Sequence, residues 1–273
     1  MNSSSNELSR PLSATDRLRQ AVVLLAAIAQ AGVSTLLGQQ QGAIARENAS
    51  SILPAGYAFT IWAVIFALTI ATGIAGLLPS LSGHPALRAG GWPLAASMAL
   101  NALWIVVFAQ RQYVLAQVVI LLSAAAAIGA ALRVQRHAGG QPVVRTLVAG
   151  SAGLLAGWLT AATFVGLANT IVSSGGSAYG TSGVGTGVVL LLAATATALA
   201  VLWAGSTGPL AGSLAYAASV AWGLAAISVE QWHAAPTTAV TALVLAVATL
   251  AFLAWRRVPG ARGRNAAPHT VHG

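Results

Sequence analysis

Apolar residues occur along the chain in long runs of about 20, separated by short polar breaks. A helix needs roughly 20 apolar residues to cross a hydrocarbon core about 30 Å thick. The runs are continuous and do not alternate with polar residues, which favours helices over the strands of a membrane barrel. We therefore predict an all-α polytopic membrane protein with about eight transmembrane helices. The predicted spans are residues 20–38, 54–78, 92–110, 113–132, 146–172, 185–205, 208–228 and 235–255.

The composition supports a membrane location for most of the chain. Hydrophobic residues make up 57% and charged residues only 6%, whereas about 25% of a soluble domain is charged. The net charge of +9 comes from arginines that lie between and beyond the apolar runs. This placement indicates membrane orientation and argues against a nucleic-acid partner. The chain has no cysteine, which excludes disulfides, thiolate metal ligands and cysteine nucleophiles.

The arginines also predict which side of the membrane each loop occupies. If both termini are inside, only Arg46 and Arg111 lie outside. The inner arginines are then Arg10, Arg17, Arg19, Arg88, Arg133, Arg136, Arg145, Arg256, Arg257, Arg262 and Arg264. This bias predicts cytoplasmic termini and an even number of spans. The chain uses arginine without lysine and is rich in alanine and glycine. This composition is typical of a GC-rich genome and indicates a bacterium, so we expect the protein in the bacterial plasma membrane.

The first span has a second interpretation. Arg17 and Arg19 precede an apolar stretch with Ala-x-Ala steps, which is also the outline of a cleavable signal peptide. The run continues past the candidate cleavage point, and this favours a transmembrane helix.

Three motifs stand in the second, third and fifth spans. The second span opens with the segment from Pro54 to Trp62 and continues to Phe66. The third span carries Asn101 followed by Trp104. The fifth span carries Trp158, Ala162, Thr163 and Asn169. Their order and separation resemble the TspO/MBR family of tryptophan-rich sensory proteins. The sequence departs from the family pattern at Gly166, where an asparagine is usual.

The resemblance covers about residues 20–172 and implies a five-helix TspO-like bundle to which this chain adds three helices. The resulting division is a polar N-terminal tail (1–19), the TspO-like core (20–172), a Gly/Ser-rich loop (173–184), three additional helices (185–255) and a basic C-terminal tail (256–273). The resemblance also implies a hydrophobic ligand, a porphyrin or related tetrapyrrole. We expect the first five helices to form the pocket without the other three.

The spacing of the aromatic residues predicts where that pocket lies. Residues three and four apart share one face of a helix, and broad aromatic walls suit flat hydrophobic ligands. The candidate ligand-binding residues are Tyr57, Phe59, Trp62, Phe66, Asn101, Trp104, Trp158, Ala162 and Asn169. In particular, we expect Trp62 and Trp158 to hold the ligand between them.

Other tryptophans and the buried amides have structural interpretations. Tryptophans near span ends are typically interfacial anchors, and this applies to Trp92, Trp203, Trp232 and Trp255. Asparagine and glutamine inside a membrane more often bond neighbouring helices than ligands. That alternative stands for Asn101, Asn169, Gln30 and Gln117. Gly153 and Gly157 indicate a helix-packing face of small residues.

The absence of ionisable residues in the middle of any predicted span narrows the function. Ion-coupled transporters usually carry such a residue, and this chain has only Glu230 near an outer edge. Catalytic pairs and metal clusters are also missing from any plausible common site, so we expect neither an enzyme nor a metal protein. The leading hypothesis is a membrane sensor or regulator without a resident cofactor. The alternatives are a facilitator or exporter of the same ligand and a structural assembly partner, and a homodimer is possible.

Overall fold

The computed structural model describes residues 13–257, apart from the side chain of Gln39. The regular secondary structure of this part of the chain is all helical, and eight of its segments are long and apolar enough to cross a membrane. The helices are α1 (Ala14–Leu37), α2 (Gln41–Glu47), α3 (Ile61–Leu77), α4 (Pro85–Ala109), α5 (Tyr113–His137), α6 (Ala149–Ser173), α7 (Gly180–Ala204), α8 (Leu210–Gln231) and α9 (Pro236–Arg257). The all-α polytopic prediction is confirmed. Most of the two predicted tails, with Arg10, Arg262 and Arg264, lies outside the described residues.

Several helices extend beyond the predicted apolar spans because polar residues cap them. α1 begins six residues before the predicted span, where Ser13 and Asp16 form a reciprocal capping box. Such a box satisfies backbone N–H groups that have no partner inside the helix. α4 begins at Pro85 and not near residue 92, because His84 caps the helix and proline is tolerated in its first turn. α1 and α4 are therefore longer than the hydrophobic runs that predicted them.

Two connections differ from the predicted loops. The connection between the first two spans contains the short helix α2, which the hydropathy pattern did not predict because it is too short and too polar for a span. The second is the Gly/Ser-rich segment 173–184, whose last five residues form the first turn and a half of α7. A backbone-to-side-chain bond ties these regions together: the Ser51 hydroxyl donates to the Gly183 carbonyl at 2.9 Å.

The first five spanning helices form a ring. α1 packs against α3 and α4, α4 against α5, α5 against α6, and a smaller contact between α6 and α3 closes the ring. α6 is the most buried span, since 72% of its most apolar stretch is buried inside the molecule. It occupies this position because it also carries the remaining helices: α8 and α7 pack on it, and α9 packs on α8 and α7.

Small residues allow α6 and α8 to approach closely. A Cβ atom at Gly153 would collide with the carbonyl oxygen of Gly212, and one at Gly157 would collide with the carbonyl oxygen of Tyr216. Backbones can meet at this distance only where side chains are absent. The predicted packing face on α6 is thus confirmed, and its partner is α8.

Ion pairs lie at both ends of the bundle. At one end the buried Asp16 carboxylate accepts from Arg19 at 2.6 Å and from Arg88 at 2.8 Å, which joins α1 to α4. At the opposite end Arg111 donates to Glu47 at 2.6 Å. The Arg111 guanidinium holds the pKa of the Glu47 carboxyl below its ordinary value.

Candidate ligand-binding site

The site begins at the segment that enters the second span. The Ala55 amide donates to the Ala226 carbonyl of α8 at 3.1 Å, and the Gln231 side chain donates to the Leu53 carbonyl at 2.9 Å. We call residues 50–58 the entry strap. Because Ala226 lies one and a half turns before the end of α8, the strap reaches roughly 7 Å below that end. The second span therefore starts deeper than its neighbours.

The depth of the strap explains how two distant tryptophans meet. Trp62 lies early in its span and Trp158 lies about four turns below the end of α6. Their rings are nevertheless in edge-to-face contact, with centroids 6.1 Å apart. Phe59 makes a similar contact with Trp158 at 6.2 Å, and Phe66 stacks on Trp62 at 5.3 Å. These four residues form one aromatic cluster, which we call the Trp158 cluster.

A second aromatic group belongs to α4. Trp104 and Phe108 stack with their centroids 5.0 Å apart. Tyr113, at the start of α5, makes an edge contact with Phe108 at 5.7 Å. The Trp104–Phe108 pair and the Trp158 cluster both contribute rings to one cavity.

The cavity is lined almost entirely by apolar atoms. The centres of water-sized molecules can occupy about 60 Å³ of it, within about 640 Å³ of empty space that includes open solvent at its mouth. The lining residues are Gln41, Ala45, Leu53, Pro54, Phe59, Trp104, Phe108, Trp158, Ala161, Ala162, Val165, Gly166, Asn169, Gly223 and Ile227.

Five of the nine predicted site residues line this cavity. They are Phe59, Trp104, Trp158, Ala162 and Asn169. Trp62 and Phe66 instead lie in the Trp158 cluster, outside the cavity lining. Trp62 contacts Trp158 directly, so these two rings leave no space between them in this structure. The expectation that they hold the ligand stays a prediction. The Trp104–Phe108 pair lines the same cavity as Trp158.

The other two predicted residues lie elsewhere. Tyr57 is exposed and makes an edge contact with Trp222 at 5.4 Å. Asn101 is fully buried, and its Nδ2 donates to Gln30 Oε1 at 3.4 Å. Gln30 in turn donates to the Thr69 hydroxyl at 3.3 Å. Asn101 therefore bonds α4 to α1, as the structural interpretation of this residue predicts.

Asn169 bonds neighbouring segments and also lines the cavity. Its Nδ2 donates to the carbonyl of Ala45 at 3.1 Å and to that of Asn48 at 3.0 Å, which fixes α2 and the residue after it over the cavity. Both partners are carbonyls, so the orientation of the amide is determined by its donors. The side chain also lines the cavity and is 4% exposed.

Ten lining residues were absent from the sequence prediction, and two groups of them show why. Ala161 and Val165 follow the helical spacing of the fifth-span motif, so their position could have been inferred from Trp158. Gly223 and Ile227 belong to α8, which the resemblance did not reach. The structure thus differs from the expected five-helix pocket: α8 forms part of the wall.

The fold and the cavity define a polytopic helical membrane protein with an aromatic-lined internal pocket. A family model described as TSPO-like protein matches residues 18–255, and the chain belongs to this family. The match covers the three C-terminal helices together with the first five. Neither the curated proteins nor the solved structures include a match to the chain.

Proposed function

We propose that this protein is a membrane sensor or regulator that binds a flat hydrophobic ligand in the cavity between the Trp158 cluster and the Trp104–Phe108 pair. The observation that carries this proposal is that two separate aromatic groups contribute to one apolar cavity. Ligand pockets are typically apolar and aromatic, with a few polar groups that fix orientation. Asn169 and Gln41 are the polar residues of this lining.

A porphyrin or related tetrapyrrole is the ligand class that family membership favours. The space open to the centres of water-sized molecules is about 60 Å³, which is too small for a whole macrocycle, so we infer that the ring enters edge-on. One side of the macrocycle then lies between the aromatic groups, and the remainder occupies the mouth. Each ring pair formed in this way contributes about 0.5–1.5 kcal/mol beyond area burial.

The binding test uses the intrinsic fluorescence of the tryptophans. Protoporphyrin IX titrated into the detergent-solubilised protein should quench this fluorescence and give a saturable binding curve. The same titration with a soluble protein of similar tryptophan content controls for inner-filter absorption. Absence of saturable quenching would refute the proposal and favour the assembly-partner hypothesis.

Packing around the cavity favours sensing over transport. Met98 on α4 lies about two turns before Trp104, and Leu155 on α6 lies about one turn before Trp158. Both side chains are fully buried. They belong to the closely packed core and leave little room for a ligand to continue through the bundle. Flux measurements in sealed proteoliposomes separate the two functions: a sensor binds protoporphyrin IX without accelerating its transfer, whereas a facilitator accelerates it.

We also propose that both termini are cytoplasmic, in a bacterial plasma membrane. In the described residues, the end of the bundle that carries Arg46 and Arg111 pairs both with acids, Glu230 and Glu47. The opposite end keeps an excess of arginine, as the positive-inside rule expects of the cytoplasmic side. Single cysteines report this directly, because the chain has none: one at Ser177 should react with an impermeant thiol reagent in intact cells, and one at Gly139 should not.

A further inference from the structure

α8 approaches the cavity at a position without a side chain. Gly223 lines the cavity, and a Cβ placed there would lie 3.3 Å from the Ala161 Cβ and 3.8 Å from Cζ3 of the Trp158 ring. Ile227, one turn further along α8, lines the same cavity. The wall contributed by α8 is therefore open at one position and filled at the next.

Two contacts fix the position of α8 near Gly223. The close packing of Gly153 against Gly212, and of Gly157 against Tyr216, sets its distance from α6. The Trp222 indole N–H donates to the Ala58 carbonyl at 3.0 Å, next to Phe59 of the Trp158 cluster. With α8 held by both contacts, a side chain added at residue 223 cannot be accommodated by moving the helix away. It must take its volume from the Trp158 side of the cavity.

We propose that Gly223 and Ile227 of α8 determine the size of the ligand that the cavity accepts. This inference rests on the proposed function, because it concerns the same cavity. The missing side chain at residue 223 makes space beside the Trp158 ring for the edge of a planar ligand. The Ile227 side chain limits how far that edge extends along α8.

The test compares two opposite changes with two probes, protoporphyrin IX and the smaller anthracene, on the full chain. Gly223→Ala should weaken protoporphyrin IX binding by about tenfold or more, since one methyl group in an apolar pocket changes recognition by that order. Anthracene should lose less affinity. Ile227→Ala should act in the opposite direction and strengthen protoporphyrin IX binding relative to anthracene.

Each change has a matched control. Gly185→Ala on α7 makes the same glycine-to-alanine change where no atom lies within 4 Å of the new methyl group. Val229→Ala on α8 truncates a side chain that is 60% exposed. Neither control should alter the ratio of the two affinities. If Gly223→Ala does not fold, Ile227→Ala alone decides through its opposite sign.

The outcomes separate the two proposals. If the unmodified protein binds a probe while both α8 variants behave like their controls, the role of α8 is refuted and the binding function stands. If the unmodified protein binds neither probe, the binding function itself is refuted, together with the inference that rests on it.

Discussion

The two halves of the bundle are packed in different ways. In the half that contains Asp16, glycines meet their neighbours directly: a Cβ at Gly73 would lie 2.9 Å from the Leu24 backbone, and one at Gly91 would lie 2.6 Å from the Arg19 side chain. The cavity there has only about 20 Å³ for the centres of water-sized molecules. In the half that contains Trp104 and Trp158, aromatic rings line a cavity with about 60 Å³ of such space.

This difference shows how side-chain size places the cavity. Glycine and alanine let helix backbones approach closely, and few gaps remain. Large rigid rings keep the helices further apart and, with only two rotatable side-chain bonds, cannot fill every gap between them. The close-packed half therefore holds the bundle together, while the aromatic half provides the site. The following predictions test this division, beginning with the largest effect.

Replacing Asp16 with asparagine should cause the largest loss of stability. Asp16 and Arg19 are each 4% exposed, and removing one partner of a buried ion pair typically costs about 3–5 kcal/mol. Unfolding by SDS titration in mixed micelles measures this free energy. The control is Glu230→Gln, which removes a more exposed pair with Arg46 and should cost about 0–1 kcal/mol. Equal effects at the two sites would contradict the stabilising role of the Asp16 half.

Leucine at Gly153 should separate α6 from α8. The new side chain would collide with the Gly212 backbone, which cannot rotate away as a side chain can. Overpacking of this kind costs about 1–3 kcal/mol, and more where the backbone must move. Thermal unfolding in detergent measures the loss. Gly150→Leu is the matched control, since no atom lies within 4 Å of its Cβ. A similar melting temperature for both variants would mean that α8 is not held by this contact.

Trp104→Leu should weaken ligand binding with little effect on stability. The change keeps an apolar residue but removes a ring face of the cavity, so protoporphyrin IX should lose about 0.5–1.5 kcal/mol of binding free energy. Trp255→Leu serves as the control, because Trp255 is exposed at the far end of α9. If both variants lose the same affinity, the ligand does not bind between the two aromatic groups.

The smallest effect concerns the Glu47–Arg111 pair at the exposed end of the bundle. Arg111 lowers the pKa of Glu47 below its ordinary value of 4.5, so the ionised carboxylate is favoured in the folded state. The stabilisation is complete above pH 4.5 and is lost as the pH falls through the lower folded-state pKa. The melting temperatures of the unmodified protein and of Glu47→Gln should therefore converge below pH 4.5. A difference that persists at low pH would exclude this carboxylate as its source.

The sequence predicted the helices well because long apolar runs are a direct consequence of the membrane as solvent. Their ends were predicted less well, since capping by Ser13 or His84 depends on single side chains and not on hydropathy. α2 has no apolar run at all. These are local features that an average over 20 residues cannot detect.

The candidate site was predicted in part for a similar reason. Helical spacing placed Phe59, Trp104 and Trp158 on faces that could meet, and all three line the cavity. Spacing cannot show how deeply each helix starts. The entry strap lowers Trp62 to the level of Trp158, so these rings contact each other directly in this structure. Gly223 could not be identified, because a glycine leaves no pattern of side chains to recognise.

The hydrogen bonds between the entry strap and α8 also affect how the protein is made. Ala58 and its partner Trp222 are 164 residues apart, and a ribosome adds about 5–20 residues each second. The strap is thus synthesised roughly 8–33 s before α8 exists to receive it. During that interval the buried carbonyls of the strap need other donors, such as water or an insertion factor. The ligand site is consequently among the last parts of the molecule to be completed.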